Sequence, residues 1–171
     1  MKLKTRHLIL RPWNEKDAKC LYYHAKNPKV GPIAGWAPHS SIEDSLNIIR
    51  TIFQKKETYA ITLKENDNPI GCVGLLIYPD GNYYWGEGNG ELGYWLAEPF
   101  WGRGIVVEAS KELIRRAFDD LNLKTIYALS KKENLQSIRV LEKLGFVFLK
   151  ETQNTDYKNQ QYREIVMYLK R

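Results

Sequence analysis

The sequence has little that would staple, anchor or metallate a fold. Its 171 residues include two cysteines and three histidines, too few for a disulfide framework or a zinc-ligand set. Cys20 and Cys72 both fall within apolar patterns, which reads as free, packed thiols. No apolar run approaches the ~18 residues of a membrane span, and the apolar part of MKLKTRHLILRPW is too short for a signal peptide. A cytoplasmic chain with no membrane partner is expected. GxxxxGK[ST], HExxH and GxSxG are all missing, and His7, His24 and His39 lack ligand spacing. P-loop, zinc and hydrolase chemistry lose their main support, and no metal is expected. Zinc-finger, basic-helix and RNP-like signatures are missing too, so nucleic acid is not the expected partner.

What is present is the composition of a soluble globular chain. Hydrophobic residues make up 43% and charged residues 27%, with a mean hydropathy of -0.49. The length suits one domain spanning residues 1–171. The net charge of +6 is spread along the chain, which favours a phosphate-bearing small ligand over a nucleic-acid arm.

Periodicity predicts β-α-α-β-β-β-α-β-α-β-β, an α/β (α+β) pattern. KTRHLILRPW is a strand ending at Pro12. NEKDAKCLYYHAKN is a helix with Asn14 as N-cap and Pro28 as a stop. An irregular loop follows to His39, and SSIEDSLNIIRTIFQKK is a second helix with Ile42, Leu46, Ile49 and Phe53 on one face. TYAITLK and IGCVGLLIY form a hairpin broken at ENDNP. The aromatic, glycine-rich PDGNYYWGEGNG leads to a fourth strand, ELGYWLA. TIYALS, FVFLKET and YREIVMYLK are the last strands, with NLQSIRVLEKL a helix closed by Gly145.

Three stretches bear on chemistry. GNGELG, Gly88 to Gly93, spells GxGxxG but leads into a strand instead of opening a helix, so dinucleotide binding is rejected. In EPFWGRGIVVEASKELIRRAF a strand enters a turn through Gly102 and Gly104 and a helix begins near Ile105. The unpaired N–H groups of that helix would suit a phosphate, with Arg103 adding charge. A plain tight turn anchored by Trp101 explains the same residues. In NLQSIRVLEKLGF, Asn134 and Ser137 lie one helical turn apart and could share a ligand, or be an N-cap and a surface serine.

Taken together, ELGYWLAEPFWGRGIVVEASKELIRRAF and ENLQSIRVLEKLGF resemble the acetyl-CoA-binding core of the GNAT acetyltransferases. The branch of ribosomal-protein N-terminal acetyltransferases is the most similar, and its start also resembles KTRHLILRPW. The resemblance covers nearly the whole chain. It implies the GNAT fold: a central mixed, mostly antiparallel sheet splayed between strands 4 and 5 and flanked by helices. It implies acetyl-CoA as co-substrate, with its pyrophosphate on the amides of Gly102, Arg103, Gly104, Ile105 and Val106. The family's usual Gln or Arg is replaced by Trp101, and its second small residue by Val106.

By position, the resemblance assigns the pantetheine arm to the backbone of Leu96 and Ala97, with the Leu96 N–H polarising the thioester carbonyl. Asn134 corresponds to the asparagine near the pantetheine, and Ser137 to the residue that protonates the leaving thiolate; Tyr127 stays an alternative. Glu91 corresponds to a strand carboxylate acting as general base, with Glu87, Glu98 and Asp80 as rivals. The coenzyme 3′-phosphate would meet one of Lys131, Lys132, Arg139 and Lys143. Trp36, Tyr83, Tyr84 and Trp85 are candidate walls of an acceptor groove.

The implied function is direct acetyl transfer to a primary amine, either a protein N-terminus or a small amine. The alternative is a non-catalytic acetyl-CoA-binding or ribosome-associated module. Exposed final strands leave room for a homodimer.

Overall fold

The computed structural model describes residues 1–81 and 83–171. Asn82, within the predicted aromatic loop, lies outside the described residues. Eight strands form one sheet: β1 (Leu3–Lys4), β2 (Leu8–Arg11), β3 (Thr58–Leu63), β4 (Asn66–Leu76), β5 (Asn89–Leu96), β6 (Thr125–Lys131), β7 (Val147–Thr155) and β8 (Gln161–Lys170). Their spatial order is β1-β2-β3-β4-β5-β6-β8-β7. Every neighbouring pair is antiparallel except β5 and β6. The helices are α1 (Ala18–Ala25), α2 (Gly31–Ala34), α3 (Ile42–Thr51), α4 (Ile105–Arg115) and α5 (Leu135–Lys143). Among the described residues no helix is long and apolar enough to cross a membrane.

Local chemistry explains most of these boundaries. The Asn14 side chain accepts from the Lys16 N–H, and Asp17 reaches back to the Asn14 N–H, a capping box that opens the turn leading into α1. Ser41 caps α3 by accepting from Asp44 N–H at 3.0 Å. β3 and most of β4 are buried on both faces, as strands inside a sheet covered by helices on each side must be. One face packs Leu8, Tyr59, Val73, Leu92, Leu113 and Ile126 into a large core beneath α4. The other packs Trp13, Leu21, Ile49, Ala60, Cys72 and Trp95 beneath α1 and α3.

Four local expectations change. The ENDNP break shrinks to Lys64 and Glu65, because Asn66 already pairs with Leu63. The irregular loop before His39 contains α2, closed by Gly35 at φ 94°. Ile42 is exposed at the first position of α3, on the face of Ile49 but two turns before the point where that face is buried. The first strand is interrupted into β1 and β2 at residues 5–7, where Glu108 of α4 takes the Thr5 hydroxyl and the His7 N–H.

The feature that creates a site is the pairing of β5 with β6. It runs for only three residue pairs, Asn89 with Thr125, Gly90 with Ile126 and Glu91 with Tyr127. Beyond Glu91 the two strands separate, which is the predicted splay. The rest of β5 keeps an unpaired edge inside the sheet.

Candidate functional site

The opening between β5 and β6 is bordered by α2 and the residues just before it, by Trp101 beyond the end of β5, and by the start of α5. A cleft of about 490 Å³ lies there, lined by Pro28, Ile33, Trp101, Lys131, Asn134 and Gln136 among others. The antiparallel pairing with β4 determines which backbone groups reach it. The Ala97 N–H donates to Ile70 O at 2.9 Å, so the alternation of the ladder turns the groups of Leu96 away from β4. The Leu96 carbonyl accepts from the Trp101 indole at 2.7 Å, and its N–H remains on the open side. Ala97 departs from expectation. Its N–H is committed to Ile70 and its carbonyl already accepts from Phe100 N–H, so the sheet edge leaves it no donor for a ligand.

At the end of β5 the chain turns through Gly102 and Gly104, with φ of 74° and 75°. A side chain there would have open space around it, so conformation, not crowding, requires glycine. Gly104 is the N-cap of α4 and supplies no side-chain acceptor. The N–H groups of Ile105 and Val106 therefore open the helix uncapped, a donor cluster at its positive end. Arg103 is exposed and lies over the Phe100 ring at 5.6 Å. Ile105 is buried and Val106 half-buried, so the β-branched residue in place of a small one packs sideways into the core.

Asn134 caps α5: its Oδ1 accepts from Ser137 N–H at 3.1 Å, and its Nδ2 donates to Ile33 O of α2 at 3.4 Å. The same side chain thus shapes the α5 terminus and ties it to the far wall of the cleft. Ser137 Oγ lies 2.9 Å from the hydroxyl of Tyr94, which also donates to Ser137 O at 3.1 Å. Burial pushes the Tyr94 phenol up to about 12, so it keeps its proton. Tyr94 is the residue that sequence reasoning missed. Its place in GYWL, one strand position in two, was the signal that it shares the Leu92 and Leu96 face.

Glu91 sits where the strands part, on the opposite face. Its carboxylate accepts from the Trp85 indole at 2.9 Å. Burial raises its pKa, the Trp85 bond opposes this, and Glu164 adds repulsion, so the net shift is upward. Trp85 stacks on Tyr127 at 4.3 Å, which places Tyr127 on the Glu91 side, away from Ser137. The rivals fare differently. Glu98 is held by Lys29 at 2.6 Å and Asn27 at 2.7 Å, and these bonds lower its pKa. Glu87 lines a separate cleft with Tyr78 and Tyr84. Asp80 is exposed, and its carbonyl accepts from Lys55.

Of the predicted aromatic walls, Trp36 meets Trp95 edge-on at 6.0 Å and Trp85 joins Glu91. Tyr84 turns to Tyr78 at 5.0 Å, and Tyr83 contacts Trp85 at 5.6 Å. Among the four basic candidates, Lys131 lies 3.8 Å from Asp156 and Lys132 is paired with Glu151 at 2.9 Å. Arg139 and Lys143 are exposed on α5 and form no ion pair among the described residues.

Comparison with known proteins identifies the family. The family model described as Acetyltransferase (GNAT) domain matches residues 7–147. The uncharacterized N-acetyltransferase p20 of Bacillus licheniformis is 31% identical over 98% of this chain and 93% of its own. A GNAT-family acetyltransferase from Bacillus anthracis superposes with a TM-score of 0.85 at 20% identity, covering 99% of this chain and 98% of that one. The ribosomal-protein-S5-alanine acetyltransferase of Vibrio fischeri shares the fold, with a TM-score of 0.75 at 22% identity over 99% of this chain and 96% of that one. A split sheet, an uncapped helix start beyond a glycine turn and a family match over most of the length have one joint meaning: the chain belongs to the GNAT acetyltransferases.

Proposed function

We propose that this acetyltransferase takes its acetyl group from acetyl-CoA and passes it directly to a primary amine across the opening between β5 and β6. The observation that carries this reading is the convergence of three groups on that opening: the free edge of β5 at Leu96, the uncapped start of α4, and the paired hydroxyls of Ser137 and Tyr94. The amides of Gly102, Arg103, Gly104, Ile105 and Val106 would receive the pyrophosphate. Leu96, with the remaining carbonyl lone pair of Ala97, would hold the pantetheine as an added strand. Of the four basic candidates, Arg139 and Lys143 form no ion pair among the described residues and would be the ones to meet the 3′-phosphate.

Each chemical demand has a group. The incoming ammonium must lose a proton before its nitrogen can attack; Glu91, made more basic by burial, would take it directly or through water. The developing oxyanion would receive the Leu96 N–H. The departing thiolate would take a proton from Ser137, whose hydroxyl Tyr94 orients. A thiol of pKa ~8.5 leaves readily, so this donor assists without carrying the reaction. Neither cysteine offers a covalent route. Cys72 is buried with its thiol pushed up to about 12, and Cys20 donates to Pro69 O.

The acceptor is a protein N-terminus or a small amine, with cytoplasmic action and no membrane partner as the working assumption. A thiol-release assay with acetyl-CoA against amines and short peptides, run beside thermal shifts with acetyl-CoA alone, tests it. A shift with release in one acceptor class is expected. A shift without release under any acceptor would favour a binding-only module, and no shift would overturn the reading.

A further inference from the structure

The face of the sheet that carries Glu91 is bare in one place. In the β4–β5 ladder Gly74 pairs with Gly93, between the pairs Cys72–Trp95 and Leu76–Glu91. Two glycines side by side remove both side chains from the strip separating Trp95 from Glu91, because these residues alternate onto one face. A Cβ on Gly93 would meet nothing within 4 Å, and its φ lies outside the left-handed region. Neither crowding nor backbone conformation demands glycine there.

The surroundings define a chemistry. At one end stands Trp95, with Trp36 edge-on to it at 6.0 Å and Trp13 at 6.4 Å. At the other stands Glu91, held by the Trp85 indole. Behind Gly74 the Thr58 hydroxyl lies 3.3 Å from where a Cβ would stand. Thr58 is 7% exposed, and that hydroxyl has no hydrogen-bond partner among the described residues. Glu164, 7% exposed, adds a second carboxylate to the face and is bonded to Tyr162 and Asn154. By alternation, β4 and β5 project no cation onto this face and β6 only Lys131, while Lys170 of β8 and Lys150 of β7 stand on its outer strands, exposed. Lys131 is engaged by Asp156 at 3.8 Å and by the Tyr162 ring at 4.5 Å.

We infer that the Gly74–Gly93 strip is the floor of the acceptor site and that the acceptor is a primary ammonium with no carboxylate beside it: an alkylamine or a peptide N-terminus, not a free amino acid. This rests on Glu91 being the base of the proposed reaction. Aromatic faces attract an ammonium and its stem, and two carboxylates favour a cation. An acceptor carboxylate next to the amine would meet those negative charges with no cation on β4 or β5, the strands that form the strip, to offset them. Gly93 sets specificity by what it leaves out.

Butylamine, norvalinamide and norvaline form a matched series, in which the amide adds the branch and the acid adds the charge. With wild-type protein and acetyl-CoA, butylamine and norvalinamide should be acetylated with kcat/KM at least tenfold above norvaline. Gly93→Val, in a strand that tolerates β-branched residues, should lower kcat/KM for both by at least tenfold. Its melting temperature and acetyl-CoA-induced thermal shift should stay near wild type. Norvaline turning over as well as butylamine, or full activity in a folded Gly93→Val, would overturn the inference. Acetylation of peptides but of none of the three would overturn the alkylamine half of it. No acetylation of any amine or peptide despite acetyl-CoA binding would instead overturn the proposed function beneath it.

Discussion

Glu91 joins a strand geometry to a proton-transfer task. A carboxylate there is partly desolvated yet still bonded to Trp85, so it ionises above the ordinary 4.5. kcat/KM should therefore rise with pH as Glu91 loses its proton, with the lower limb of the profile above 4.5. Glu91→Gln should abolish that limb and reduce kcat about 100-fold, as expected for loss of a general base, while acetyl-CoA affinity stays within twofold. A second expectation concerns Tyr94 and Ser137, 2.9 Å apart. Tyr94→Phe and Ser137→Ala should each lower kcat more than they raise KM, and the double variant should cost little more than the worse single one. Additive losses in steady-state kinetics would show that the hydroxyls act separately. These residues were unequally legible in the sequence. Asn134 and Ser137 stood together in NLQSIRVLEKLGF and Glu91 followed from the family resemblance, whereas Tyr94 acquires its meaning only when β5 and α5 are folded against each other.

At the scale of elements, the glycine turn and α4 form one device. Gly104 adopts φ 75° so that the helix can begin without a capping side chain. Gly104→Ala would force a side chain into a conformation that costs ~1–2 kcal/mol, and would re-aim the amides of Ile105 and Val106. A fall of about tenfold in acetyl-CoA affinity by calorimetry, with a modest loss of melting temperature, is expected; unchanged affinity would remove the turn from the site. Asn134→Ala deletes a cap worth ~1 kcal/mol and also the bond to Ile33. The turn, α4 and α5 were readable because glycine, polar caps and helical periodicity act over neighbouring residues. The separation of β5 from β6 is a long-range property, and only the family resemblance predicted it. The commitment of Ala97 to Ile70 depended on the pairing register with β4, which no local pattern in ELGYWLA reveals.

For the whole molecule, stability at low pH depends on carboxylates held below their ordinary values. Burial alone would raise Glu57, but Arg116 at 2.7 and 2.8 Å and Tyr59 at 2.8 Å overcome it and lower the pKa. Glu108 is likewise raised by burial and lowered further by Thr5 and His7. A depressed folded-state pKa gives stability that is complete above the unfolded value near 4.5 and is lost as pH falls through the lower folded value. Thermal unfolding followed by circular dichroism should show that decline. Glu57→Gln should flatten part of it and, by leaving the buried Arg116 with only the more exposed Asp120 at 3.3 Å, cost up to ~3 kcal/mol at neutral pH.

The most direct measurement of the central claim is amide NMR of the 20.0 kDa chain titrated with acetyl-CoA. Shift changes concentrated at Leu96, Gly102 to Val106 and the Asn134–Ser137 turn are the expected result. Binding that perturbs other surfaces and leaves these amides in place would contradict it.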